Sequence, residues 1–143
     1  QNCLYIEQNQ IEMVLHIGND CIVKLDTKEF KRIFDNLFTN IVKYREKETS
    51  RILITLKKTM DMRNAELIIQ DNGPGVPEDS LEKIFDSFYR VDGSRNRVEN
   101  GSGIGLAVVK EIVLGHGGKI YAENRGGLAI IIRLPMVQEN QQR

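Results

Sequence analysis

Tryptophan is absent from this 143-residue chain, only two cysteines occur, and residues 22–72 hold no glycine. Cys3 and Cys21 make neither a disulfide framework nor a zinc cluster, and so few thiols suit a reducing compartment. Net charge is missing as well, because 20 Lys and Arg stand against 20 Asp and Glu. That balance excludes a generic polyanion binder, so neither nucleic acid nor an anionic membrane surface is an expected partner. No apolar run approaches the ~20 residues that span a bilayer. The start Gln1-Asn2-Cys3 carries neither an initiator Met nor a signal peptide, from which a longer parent is expected. What remains is an ordinary globular composition, 41% hydrophobic and 28% charged, in a length that buries a core without disulfides.

The 12 glycines are bunched, at 73–75, 101–105, 115–118 and 126–127 among other places. Residues 1–9 read as a linker remnant, 10–137 as one domain and 138–143 as a polar tail. Short strands are expected over 11–17 and 21–25, on either side of Gly18-Asn19-Asp20. Asp26 followed by Glu29 is a helix-start signal, and the helix runs over 27–44. At 100° per residue, Phe30, Ile33, Phe34, Leu37, Phe38, Ile41, Val42 and Tyr44 form a broad apolar face. Asn36, Asn40 and Lys43 line its edge.

Two antiparallel strands follow over 51–60 and 65–70, then a short helix over 77–88 and a polar, irregular stretch over 89–100. Gly101–Gly105 opens a helix over 106–114, which Gly115 and Gly117 stop. A hairpin of strands 119–123 and 128–134 closes the chain at Pro135. This order predicts an α+β fold, a two-layer α/β sandwich with helices on one face of a mixed sheet.

Three motifs bear on chemistry. Asn36 and Asn40 lie one turn apart beside Lys43, so two amide oxygens and an ammonium share a line. Hard oxygen donors with a nearby cation suit a divalent metal carrying polyphosphate, although a solvated helix edge looks the same. Asp71-Asn72-Gly73-Pro74-Gly75 puts a carboxylate at the end of a buried strand, where it needs a donor such as the amino group of adenine. A plain turn with Asp as local cap has the same letters. Gly101-Ser102-Gly103-Ile104-Gly105 leads into a helix N-terminus, which with its free N–H groups makes an anion site or a merely flexible loop. It is neither a Rossmann fingerprint nor a Walker loop, since no sixth-position Gly and no Gly-Lys-Ser/Thr occurs.

Taken in order along the chain, these motifs resemble the boxes of the ATP-binding catalytic domain of sensor histidine kinases. That family belongs to the wider group that includes DNA gyrase, a mismatch-repair ATPase and a heat-shock chaperone. Asn36–Tyr44 is similar to its N box, Asp71–Gly75 to its G1 box, Phe85–Arg90 to its F box and Gly101–Gly105 to its G2 box. The resemblance implies Mg²⁺ and ATP as cofactors. It makes Asn40 the metal ligand with Asn36 beside it, and puts Lys43 and Arg90 on the phosphates, so that Asn40, Lys43 and Arg90 carry catalysis. It also implies Tyr44 against the adenine, Asp71 accepting from the adenine amino group, and further nucleotide contacts at Asn72, Gly73, Gly75 and Val76. Arg90 and residues 91–100 would form a lid, and the amides of Gly101, Ser102, Gly103, Ile104, Gly105 and Leu106 would hold phosphate.

Two departures touch the pocket edge: Ile41 stands where the family usually has Ala, and Arg45 where Ser or Thr is common. Gly126-Gly127-Leu128-Ala129 lacks the usual Gly-Thr, and no binding role is assigned there. Hydrolysing members of the group carry a Glu where this chain has Asn36, an amide that cannot take a proton from water. The expected function is therefore donation of the γ-phosphate of Mg-ATP to a His on a separate dimerisation domain of the same kinase. A response regulator would be the indirect partner, and the domain would sit in the cytoplasm under a membrane-anchored parent. His16 and His116 read as structural. The alternatives are a nucleotide-sensing pseudokinase and a hydrolase of the gyrase type.

Overall fold

A computed structural model describes residues 11–17, 26–44, 50–87 and 105–136. The strand expected over 21–25, the polar stretch 89–100, Arg90 and Gly101–Ile104 lie outside the described residues. Strand β1 (Ile11–Ile17) leads by way of helix α1 (Thr27–Tyr44) to strand β2 (Ser50–Lys58), which lies parallel to it. Parallel neighbours need such a crossover, and a helix is the usual one. Strand β3 (Asn64–Gln70) returns antiparallel to β2. Helix α2 (Gly105–Gly115) is followed by β4 (Lys119–Asn124) and β5 (Leu128–Pro135), and β5 inserts beside β3. The sheet order is β1-β2-β3-β5-β4, mixed in direction as expected, with both helices packed on one face.

Helix α1 starts where the capping signal puts it. Asp26 Oδ1 accepts from the N–H of Lys28 (2.9 Å) and of Glu29 (3.2 Å), satisfying two donors that the first turn leaves over. Ile33, Leu37 and Phe38 are buried, and Phe30, Phe34 and Ile41 pack against the core from the flanks. Helix α2 contributes Leu106, Val109, Ile112 and Val113, and the sheet answers with Ile52, Ile54, Leu67, Ile69, Ile130 and Ile132. Burying each such aliphatic side chain contributes about 1.5–3 kcal/mol before conformational entropy is set against it.

His116 joins the two helices at one end. Its Nδ1 donates to Ile112 O (2.8 Å), and its Nε2 accepts from the N–H of Asp26 (2.9 Å). These partners define one neutral tautomer and a structural residue. His16 lies in β1, and its backbone alone is described.

The helix expected over 77–88 is instead two 3-10 turns, Glu78–Ser80 and Lys83–Phe85. Neither has a side-chain cap, and Asp86 is already extended at φ −78°, ψ 143°. Ile84 and Phe85 are both buried, as is Ser80. So short a stretch gains little from helix propagation, and the tight turns put adjacent side chains into the core together.

On the sheet face away from the helices, Ile68, Ala129 and Ile131 are buried with Tyr121 beside them. Glu66, 7% exposed, is held there by Arg133 Nε (2.8 Å) and Lys57 Nζ (3.7 Å). The hydrogen bond to Glu66, followed by the charge of Tyr121, raises the Arg133 pKa. At the β2–β3 turn, Asp61 Oδ1 accepts from Thr59 Oγ1 (2.6 Å) and from the N–H of Arg63 (3.0 Å), which holds its carboxyl below the ordinary value. A depressed folded pKa gives stability that is present above the unfolded pKa and lost as pH falls through the folded one. Asp61→Asn should therefore narrow its melting-temperature deficit against wild type as pH drops below the carboxylate range. A deficit that stays constant there would contradict this role. No described helix is long and apolar enough to cross a membrane.

Candidate functional site

β3 ends against the start of β5, and Asp71 sits at that join. Its N–H donates to Leu128 O (3.1 Å), while its Oδ1 accepts from the N–H of Gly73 (2.9 Å) and of Leu128 (3.0 Å). These bonds fix the plane of the carboxyl group. Among the described residues Oδ2 accepts no hydrogen bond. A half-buried carboxylate with one oxygen committed and one open is an acceptor in want of a donor.

Gly127 makes this arrangement possible. Its φ is +147°, and a Cβ there would lie 2.0 Å from Asp71 O and 2.8 Å from Asp71 Oδ1. Gln70 Nε2 donates to Arg125 O, fastening β3 to the same hairpin. Further along the loop, Asn124 Oδ1 accepts from the N–H of Val76 (3.0 Å), and its Nδ2 donates to Val76 O (2.7 Å). The sequence predicts no role for Asn124 or Gly127; the usable signal is the Gly126-Gly127 pair at a hairpin turn, which lacks the usual Gly-Thr.

The Asn candidates lie on α1. Asn36 Nδ2 donates to Arg32 O (2.9 Å), which settles the orientation of its amide. Its Oδ1 lies 3.5 Å from where a Cβ on Gly105 would stand, so the first residue of α2 rests on Asn36. That junction brings the Asn-rich helix edge to the first described turn of α2. Asn40, half-buried, makes no hydrogen bond to another described residue. Asp35 is turned outward into an ion pair with Lys31 (3.2 Å). Among the described residues no group of three His, Cys, Asp or Glu stands together as a metal cage. The oxygen donors of α1 are amides, which fit a cation that draws its remaining ligands from phosphate and water.

The remaining candidates divide plainly. Asn72 Oδ1 accepts from the N–H of Arg51 (3.0 Å), so its side chain ties the loop to β2. Leu106 is buried in the core and Val76 packs against it, so the backbone is what they offer a ligand. Lys43 and Tyr44 lie in the last turn of α1, described by backbone alone. Arg90, Gly101, Ser102, Gly103 and Ile104 lie outside the described residues.

A mixed sheet with both helices on one face, an oriented carboxylate at the end of β3 and an Asn-bearing helix resting against the first described residue of α2 make an α/β sandwich of the kind that binds nucleotides. Over residues 25–138 the chain matches the family of histidine kinase-, DNA gyrase B-, and HSP90-like ATPases, and it belongs to that family. It is 40% identical over 114 residues to the sensor protein kinase WalK of Staphylococcus haemolyticus, covering 78% of this chain and 19% of that protein. The chain thus spans about a fifth of the length of the curated relatives it matches. A mycobacterial sensor histidine kinase, MprB, superposes with TM-score 0.81 at 30% identity over 94% of this chain and 90% of that one. The catalytic domain of histidine kinase ThkA gives TM-score 0.76 at 28% identity, over 94% and 86%. ThkA in complex with the response regulator protein TrrA gives TM-score 0.72 at 25% identity, over 98% and 38%. The chain is an ATP-binding catalytic domain of the histidine-kinase type.

Proposed function

We propose that this domain binds Mg-ATP and donates its γ-phosphate to a histidine on a separate dimerisation domain of a two-component sensor kinase. A response regulator receives the phosphate afterwards, as the solved ThkA–TrrA complex suggests for a relative. The observation that carries the reading is Asp71, whose Oδ1 is engaged by two backbone donors while Oδ2 remains open. The adenine amino group is a donor of the right kind, whereas guanine offers a carbonyl oxygen there and is repelled. Mg²⁺, when bound, supplies charge neutralisation at the phosphates.

The protein's part in transfer is positioning. Asn40 offers an amide oxygen to the metal, Lys43 and Arg90 offer cations to the phosphates, and the Gly101–Leu106 backbone offers donors. In the step itself, the P–O bond to ADP breaks as a P–N bond to the acceptor imidazole forms. Water is a poor competitor. Asn36 has no basicity and spends its Nδ2 on Arg32 O, and Asp35 is paired with Lys31 on the outer surface. Calorimetry should find Mg²⁺-dependent ATP binding in the micromolar range, abolished in Asn40→Ala. Label from γ-labelled ATP should reach the His of the separate domain only when both domains are mixed. No ATP binding by the wild-type domain would refute the reading, and steady ATP turnover by the domain alone would favour a hydrolase.

A further inference from the structure

Asn124 is the last residue of β4, and its carboxamide pairs with both backbone polar groups of one residue far away in the chain. Oδ1 accepts from the N–H of Val76 (3.0 Å), Nδ2 donates to Val76 O (2.7 Å), and Nδ2 also reaches Glu78 Oε2 (3.2 Å). The two-way pairing imitates a rung of a β-ladder with a side chain in place of a strand. Gly75, at φ +77°, packs on the same oxygen: a Cβ there would lie 2.5 Å from Asn124 Oδ1. No β-carbon fits between loop and clamp.

The clamp lies on the same short hairpin that holds Asp71. Leu128 N–H and the bare Gly127 backbone secure the start of the 71–76 segment, and Asn124 secures its end. Val76 then packs its half-buried side chain against the main core. The segment that presents the open Asp71 oxygen is thereby fastened at both ends to one rigid turn.

We propose that Asn124 is a positioning residue of the nucleotide site. It acts through the Val76 N–H and C=O and sets the shape of the wall that follows Asp71, without touching the ligand. The inference rests on the ATP-binding reading above. It also predicts which chemistry the position tolerates. An aspartate keeps the acceptor for Val76 N–H but turns a second oxygen toward Val76 O and the Glu78 carboxylate. Those two carboxyls share one hydrogen-bonding position, so the variant's carboxyl should protonate at unusually high pH and regain a donor. Glu78 is the charged group in hydrogen-bond contact with the clamp among the described residues, and neighbouring Arg125 is occupied by Glu123 at 2.7 Å.

The experiment uses the domain as it stands, with two readouts: Mg-ATP affinity by calorimetry and exchange of the Val76 amide by NMR. Asn124→Ala should weaken Mg-ATP binding about tenfold and speed Val76 exchange at least as much. Asn124→Asp should bind weakly at pH 8 and approach wild-type affinity near pH 5.5, with no such recovery in Asn124→Ala. Wild-type affinity in Asn124→Ala alongside a fast-exchanging Val76 amide would overturn the proposal, as would a pH-independent Asn124→Asp. Failure of wild type itself to bind ATP would remove the reading on which the proposal rests. The exchange readout in that case still reports whether the clamp exists, so the two failures are told apart.

Discussion

Asp71→Asn should weaken ATP binding about 100-fold while leaving the fold intact. Asparagine can keep its one oxygen on the Gly73 and Leu128 amides, because those bonds converge on Oδ1. The atom that replaces Oδ2 is then an NH₂, and it confronts the amino group of adenine donor to donor. A lost hydrogen bond to a charged group is worth ~1.5–3 kcal/mol, and 1.4 kcal/mol is tenfold in affinity. The same NH₂ should welcome a 6-oxo base, so the ratio of inosine triphosphate to ATP affinity rises in the variant. Calorimetry with both nucleotides decides the matter. An Asp71→Asn domain that binds ATP as wild type does would show that the carboxylate does not read the base.

Gly127→Ala should be the most damaging substitution in the hairpin. A β-carbon placed 2.0 Å from Asp71 O and 2.8 Å from its carbonyl carbon cannot be absorbed by a side-chain rotation, because the obstacle is backbone. The hydrogen bonds between Asp71 and Leu128 must open, and φ of +147° is strained for alanine in any case. Destabilisation of about 3–5 kcal/mol is expected, with loss of ATP binding. Gly126→Ala is the control. Its φ is +68°, but nothing lies within 4 Å of its would-be β-carbon, so only the backbone term of about 1 kcal/mol applies. Denaturant midpoints of the two variants measure the difference. Equal midpoints would mean that the close approach to Asp71 does not matter.

Most elements were legible because their signals are local. Helix α1 announces itself by a cap and a repeating apolar face, and its bounds, Thr27–Tyr44, fall where the residues placed them. The hairpin strands and α2 lie within a residue or two of expectation for the same reason. The stretch after Pro77 misled because its letters permit a helix and only the burial of Ile84 and Phe85 selects tighter turns. The partner of β1 was not legible either: pairing across a helix is written in no single window, and here it joins Ile11 to Ser50.

The site divides along the same line. Asn36 and Asn40 share α1 and Asp71 follows β3, placements that helical spacing and strand ends predict. Asn124 could not be read this way, because its role is defined by a partner 48 residues away. Asn72 reads as a nucleotide contact in sequence, and its side chain is spent on the Arg51 amide.

The parallel β1–α1–β2 unit and the antiparallel β3–β5–β4 stack join within the sheet at the β2–β3 pairing and above it where α1 packs against α2 and the shared core. The Asn36 and Asn40 amides belong to the first block, and the Asp71 carboxylate with its fastenings belongs to the second. On the proposed reading neither block holds the whole site, so nucleotide affinity becomes a property of their docking, and a chain with its C-terminal stack formed but α1 still adrift holds half a mould with nothing to close on.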